Sequence, residues 1–298
     1  MGRVLRILGI ILGVLIGLIV VAVVAVFLIS NAKLNKTYQI AAEPVTIPTD
    51  AAGIERGRHL VTAVAACVGC HGDNLGGTIF IPGGPAVLPA PNLTGGAGGV
   101  GKQFTDADWI RAIRHGVGPD AKSLIIMPAT SFYHFSDADM GAVIAYIKSV
   151  PPVDSQLPER QVTLLGRALI AAGQFPLVAE QIDHTGPRPQ APPAGRTVEY
   201  GGYLATVGSC AECHGANFAG AAPNDPNSPP APNLTPGGEV GGWSEADFIR
   251  TLREGFTPSG RKLTDAMPWK VFGKMTDDEL SALVSYLHSL PKLPNSVK

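Results

Sequence analysis

The sequence predicts an all-α protein: an N-terminal transmembrane helix followed by two tandem copies of a small helical domain. Three observations point there. Ile7 to Ile29 forms a run of 23 residues without a charge. The rest of the chain repeats itself in order at an offset of about 140 residues. Apolar residues in both copies recur at helical spacing, and no segment shows a convincing strand alternation.

As a helix, the charge-free run would extend roughly 35 Å at the standard rise per residue, enough for a hydrocarbon core of about 30 Å. A cleaved leader normally has an apolar region of only about 7–15 residues and a small-residue cleavage site. Ser30-Asn31-Ala32-Lys33 is a poor site of that kind, so an uncleaved anchor is expected. Arg3 and Arg6 precede the run and Lys33 and Lys36 follow it, so flanking charge alone does not orient it.

The 298 residues suit about two domains. A hydrophobic content of 45% with 16% charged residues excludes a disordered chain. The 36 glycines and 26 prolines commit much of the length to ordered loops, so a large apolar cofactor could help fill the core. Beyond residue 36 the chain has 19 basic and 24 acidic residues, a balance that argues against a nucleic-acid partner.

Three blocks define the repeat. Cys67-Val68-Gly69-Cys70-His71-Gly72 returns as Cys210-Ala211-Glu212-Cys213-His214-Gly215. Pro89-Ala90-Pro91-Asn92-Leu93-Thr94 returns identically at 230–235. Phe104 to Arg111 returns as Trp243 to Arg250. The expected organisation is a stub and anchor over 1–36, a linker over 37–49, domains over 50–152 and 195–298, and a connector over 153–194. Within each domain, helices are expected over Glu55–Ala66 and Glu199–Ser209, leading into the cysteine motifs. Thr105-x-x-Asp108 and Ser244-x-x-Asp247 read as helix starts, with Gly116 and Gly255 as stops. Last helices open at Ser136 and Thr276 and end before Pro151 and Pro291. The connector has Pro-rich ends. Its apolar middle, Val162 to Ala179, is interrupted by Arg167, Gln174 and Pro176, and is expected to be a helix packed between the domains rather than a second span.

All four cysteines lie in the two Cys-x-x-Cys-His motifs. Two thiols at this spacing can add to the two vinyl groups of one haem, and the adjacent histidine then reaches the iron. A Cys-x-x-Cys pair alone could instead hold zinc or a redox disulfide. Zinc would need further clustered ligands, and a thioredoxin-like site would need a βαβ setting; neither is visible. The expectation is therefore two covalently bound haem c groups, attached at Cys67 and Cys70 and at Cys210 and Cys213, with His71 and His214 as iron ligands. Such attachment takes place outside the cytoplasm, which would put both domains on the extracytoplasmic side of a single-pass anchor.

The repeat also selects Met127 and Met267, each followed by Pro, 56 and 53 residues after their histidines. They are the expected sixth ligands. Met140 falls in the apolar stripe of a helix and reads as core. His59, His115 and His134 align with Tyr203, Glu254 and Lys274, so none is a symmetric ligand. A haem held by His and Met has no open position, and Met ligation raises its potential relative to two histidines. Such a centre exchanges single electrons.

Taken in order, Cys-x-x-Cys-His, Pro-Asn-Leu, Met-Pro and a last helix with Tyr146 or Tyr286 resemble class I c-type cytochromes, in both domains. The resemblance implies that the Pro91 carbonyl accepts the His71 N–H and that of Pro232 accepts the His214 N–H. It further implies that Leu93 and Leu234 pack on the haems and that Gly57 and Gly201 let the first and last helices approach. The chain as a whole looks like membrane-bound dihaem cytochrome c subunits or carriers.

The expected function is transfer of single electrons from a respiratory or periplasmic dehydrogenase or quinol oxidoreductase to an oxidase or soluble cytochrome. A dedicated cytochrome subunit of a dehydrogenase complex is one alternative. A dihaem enzyme, peroxidase-like or thiosulfate-oxidising, is another. The first enzyme needs a haem that can open a position and the second a fifth cysteine, and Met127 and Met267 count against both. A membrane-fused haem sensor would need an output domain ahead of the anchor, where only a few residues stand.

Overall fold

The computed structural model describes residues 2–223 and 228–297. Helix α1 (Gly2–Leu34) is, among the described residues, the one helix long and apolar enough to cross a membrane, and its side chains are exposed almost all round. The first half continues with α2 (Ala51–His59), which runs into a π-helical turn, Leu60–Val64, and then α3 (Cys67–His71). A hairpin follows, β1 (Thr78–Gly83) and β2 (Ala86–Ala90), then α4 (Asp106–His115), α5 (Ala129–Phe132) and α6 (Asp137–Ser149). After β3 (Gln161–Val162) and α7 (Leu164–Ala171), the second half repeats the pattern as α8 (Val198–Val207), α9 (Cys210–His214), α10 (Glu245–Glu254), α11 (Trp269–Phe272) and α12 (Asp277–Ser289).

The helix boundaries follow from side chains that complete backbone hydrogen bonds. Thr105 and Ser244 close capping boxes with Asp108 and Asp247, and Thr276 does so with Glu279. Gly116 and Gly255 end α4 and α10 in the left-handed conformation, at φ 62° and 76°. In each half the first and last helices cross at a glycine. A Cβ on Gly57 would lie 1.9 Å from the Ala142 carbonyl oxygen, and one on Gly201 would lie 2.0 Å from that of Ala282.

From Gly57 to Cys67 the chain has one residue more than from Gly201 to Cys210. A π turn absorbs one extra residue within a helix, and Leu60–Val64 sits in that interval. Both strands of chain then reach their cysteines in the same conformation. Ala66 and Ser209 are left-handed at φ/ψ 51°/32° and 59°/27°.

The fold is mostly helical, as expected, with, among the described residues, one small sheet that the sequence did not foretell. Its order is β1-β2-β3, all antiparallel, with an irregularity between Ile79 and Ile81. The connector helix also departs from expectation. Helix α7 does not lie between the domains; it packs on the end of α1 and on the hairpin. Arg167 donates to Ser30 and Asn31, Lys33 donates to the Ile170 carbonyl, and a Cβ on Gly166 would meet the Pro85 oxygen at 2.1 Å. Beneath it Ile170 and Leu177 join Ala86, Leu88 and Ile125 in a second small core, against which Leu34 of α1 packs.

The main core is continuous across the two halves. At their junction, equivalent positions pair reciprocally. His59 meets Glu279 at 2.6 Å, and Tyr203, the counterpart of His59, donates to Asp139, the counterpart of Glu279, also at 2.6 Å. Arg56 chelates Asp139 and reaches both Glu279 and the Tyr200 hydroxyl at 3.4 Å. Reciprocity of this kind is the mark of a local two-fold axis. Across it α5 packs on α8, and α11 packs on the Leu60–Val64 turn that leads to the first cysteine motif.

Candidate haem sites

The short helices α3 and α9 each carry two cysteines and a histidine within five residues. The four cysteines form no disulfide. Burial pushes the Cys67 and Cys210 thiols up to about 12. A thioether sulfur, by contrast, carries no charge to desolvate. No cluster of three or more His, Cys, Asp or Glu side chains suited to a metal ion occurs among the described residues.

The histidines are oriented from behind. His71 Nδ1 lies 2.8 Å from the Pro91 carbonyl oxygen, and His214 Nδ1 lies 2.8 Å from that of Pro232. A carbonyl only accepts, so Nδ1 carries the proton and Nε2 keeps its lone pair. Burial pushes both imidazoles down, against the opposing effect of the carbonyls, which keeps them neutral at neutral pH. A neutral imidazole with a fixed tautomer and a free Nε2 is what a metal ligand requires. The donor set therefore fits haem iron.

The carbonyls are held in place by residues whose role the sequence reading did not identify. Asn92 accepts from both the amide and the hydroxyl of Thr94 and donates to the Val153 carbonyl at 2.7 Å. Asn233 does the same with Thr235 and the Leu293 carbonyl, at 2.9 Å. Each Pro-Asn-Leu-Thr segment is thus clamped to the strand of chain leaving its own last helix. The signal was present: the hexapeptide is identical in both copies, beyond what the Pro and Leu alone explain. Leu93 is buried and Leu234 half-buried, both against the main core.

Met127 and Met267 sit in turns of nearly identical form. The following prolines cap α5 and α11 at φ/ψ −77°/47° and −76°/51°, and both methionines are half-buried against the same core as Cys67 and Cys210. Met140, by contrast, is wholly buried, as its helical stripe foretold. Trp269, two residues after Met267, has a buried Nε1 without a partner among the described residues, as has Ser209 Oγ beside Cys210. Such orphaned groups cost about 1–3 kcal/mol each if left unanswered, and the carboxylates of a haem are acceptors that could answer the indole. Across the junction, Glu212, inside the second cysteine motif, accepts from Thr130 at 2.8 Å and from Ser131 at 3.3 Å. The turn after Met127 therefore touches the other domain's attachment helix.

Two short helices presenting a thiol pair and an oriented imidazole, each in a small helical domain, define a protein of covalent haem attachment. The cytochrome c family model matches residues 54–151 and 198–291, well over half of the chain, and the chain belongs to that family. It is similar to the fructose dehydrogenase cytochrome subunit of Gluconobacter japonicus, 29% identical over 85% of this chain and 56% of the relative. It also resembles the cytochrome c subunit of the alcohol dehydrogenase (quinone) of Komagataeibacter europaeus, 29% identical over 84% of this chain and 58% of the relative. A diheme cytochrome c-type protein of Cereibacter sphaeroides is 27% identical, with 70% and 71% of the two chains covered. The chain spans little more than half the length of the two dehydrogenase subunits. It carries two covalently bound haem c groups and is similar to the cytochrome subunits of dehydrogenases.

Proposed function

We propose that the chain is a membrane-tethered dihaem subunit that takes electrons from a dehydrogenase and passes them to an oxidase or soluble cytochrome. In this reading α1 spans the cytoplasmic membrane and both haem domains lie on the periplasmic side. The observation that carries it is the reciprocal junction, which joins the two haem-binding halves through one continuous core so that one electron can cross from domain to domain within a single chain. The names of the dehydrogenase cytochrome subunits favour a dehydrogenase as donor over a free quinol oxidoreductase.

Each haem supplies a one-electron couple. The protein's part is to hold that couple still. Cys67 and Cys70, and Cys210 and Cys213, would form the thioethers. His71 and His214 would ligate through Nε2, with Pro91 and Pro232 fixing ring orientation. Met127 and Met267 would close the sixth positions, raising the potentials and excluding oxygen and peroxide. Leu93 and Leu234 would keep water from the haem faces. A tether raises the effective concentration of the carrier near its partners.

The test is to purify the assembly from native membranes with a tag on this chain. Co-purification of a dehydrogenase flavin or quinone subunit, together with haem reduction by that enzyme's substrate, is the expected result. A chain that purifies alone and is reduced only by chemical reductants would contradict the donor assignment.

A further inference from the structure

Helix α7 carries two neighbouring leucines that the protein does not cover. Leu164 and Leu165 are 49% and 57% exposed, while Gly166 and Ile170 on the same helix are buried. The contacts of α7 with α1 fix its depth. The Arg167 guanidinium lies 4.8 Å from the centre of the Phe27 ring and donates to Ser30 and Asn31 at 3.1 and 2.8 Å. One turn on, the Ile170 carbonyl accepts from Lys33 at 3.0 Å. Helix α7 is therefore in register with residues 27–33 of α1, a span of about 9 Å. The charge-free run ends inside that span, at Ile29.

We propose that α7 lies at the lipid headgroup boundary and inserts Leu164 and Leu165 into the bilayer surface. The inference rests on the reading that α1 crosses the membrane. Its occupant is phospholipid, chosen by continuity. Whatever solvates Phe27 and Ile29 on α1 must also meet the uncovered side of a helix packed against them. Exposed leucines beside Arg167 and Lys33 have the composition of an interfacial helix, apolar below and basic at headgroup level.

The consequence reaches beyond anchoring. Thr163 caps α7 and donates to the Pro85 carbonyl at 2.9 Å, Gly166 abuts that same carbonyl, and Leu34 joins the small core beneath. Domain 1 is thus bolted to the end of α1 through the hairpin. A seated α7 fixes the tilt of that domain, and with it the face that the first haem site turns toward a membrane-bound donor.

The experiment uses the full chain with both haems attached, reduced so that the iron is diamagnetic, in phospholipid vesicles. The native cysteines are consumed as thioethers, so a nitroxide can be placed on L165C alone, and separately on V20C and on K262C, an exposed site in domain 2. Collision with oxygen and with a water-soluble nickel complex reports depth. The expected oxygen-to-nickel ratio at 165 is severalfold above that at 262 and below that at 20. A value at 165 equal to that at 262, while 20 reads as lipid, overturns the proposal but leaves the anchor standing. Protection of 165 from both reagents overturns it in favour of a protein partner. An aqueous reading at 20 overturns the anchor and this inference together.

Discussion

His71 and Pro91 are 20 residues apart in sequence and 2.8 Å apart in space. That one contact fixes a proton on Nδ1 and decides what Nε2 can do. At this scale the chemistry was legible, because Cys-x-x-Cys-His constrains three side chains at once and its duplication repeats the constraint. The sixth ligand rests on less: two methionines in matching turns. Met127→Ala is expected to lower the potential of one haem only and to let carbon monoxide bind that haem in the ferrous state. An unchanged redox titration with no carbon monoxide adduct would remove Met127 from the site. What the sequence could not convey at this scale was the support beneath the ligands. Asn92 and Asn233 act on carbonyls about 60 residues away, and nothing in a linear reading marks Val153 or Leu293 as their partners.

Elements were legible where local chemistry fixes them. Capping boxes at Thr105, Ser244 and Thr276 and left-handed glycines at 116 and 255 act within a single turn, so the helices could be read from neighbours three residues apart. The hairpin was not legible for the same reason in reverse. Thr78 to Gly83 is an apolar run with Pro82 near its end, β2 contains Pro89, and the register is broken between Ile79 and Ile81, so strict alternation is lost. The place of α7 depended on a partner helix some 130 residues earlier in the chain. The helix crossings give a direct test. Gly201→Ala would put a methyl group 2.0 Å from the Ala282 oxygen. It should destabilise the second domain by about 3 kcal/mol, at the upper end of overpacking costs, and shift the first domain's transition less, through Tyr200 and Tyr203 at the junction. Thermal unfolding followed in the haem absorption of each domain would show the split; a variant with a wild-type profile would mean that the close crossing is not required.

For the whole molecule, the junction is the feature with most consequence. Tyr203 is raised by burial and by Asp139 beside it, so it stays a donor to that carboxylate. Burial alone would raise Glu279, but the His59 hydrogen bond, the Thr276 amide and the Arg56 charge outweigh it and hold it below the usual carboxylate range. A depressed carboxylate contributes stability above its unfolded value, and that contribution is lost as pH falls through the folded value. The junction should therefore weaken on acidification below the ordinary carboxylate range, and Glu279→Gln should flatten that dependence. Equilibrium unfolding against pH would reveal it, and equal acid sensitivity in both proteins would count against the pairing. At neutral pH the same substitution should cost on the order of 2 kcal/mol, less than for a fully buried pair because Arg56 remains partly in water.

Everything at the larger scales presumes iron closed on both sides in each half of the chain. The most direct measurement is near-infrared magnetic circular dichroism of the oxidised full chain, with haem content counted in the same sample. Two low-spin haems per chain, both with the charge-transfer signature of methionine sulfur on ferric iron, are predicted. One high-spin haem, one bis-histidine haem, or fewer than two haems per chain would contradict the account.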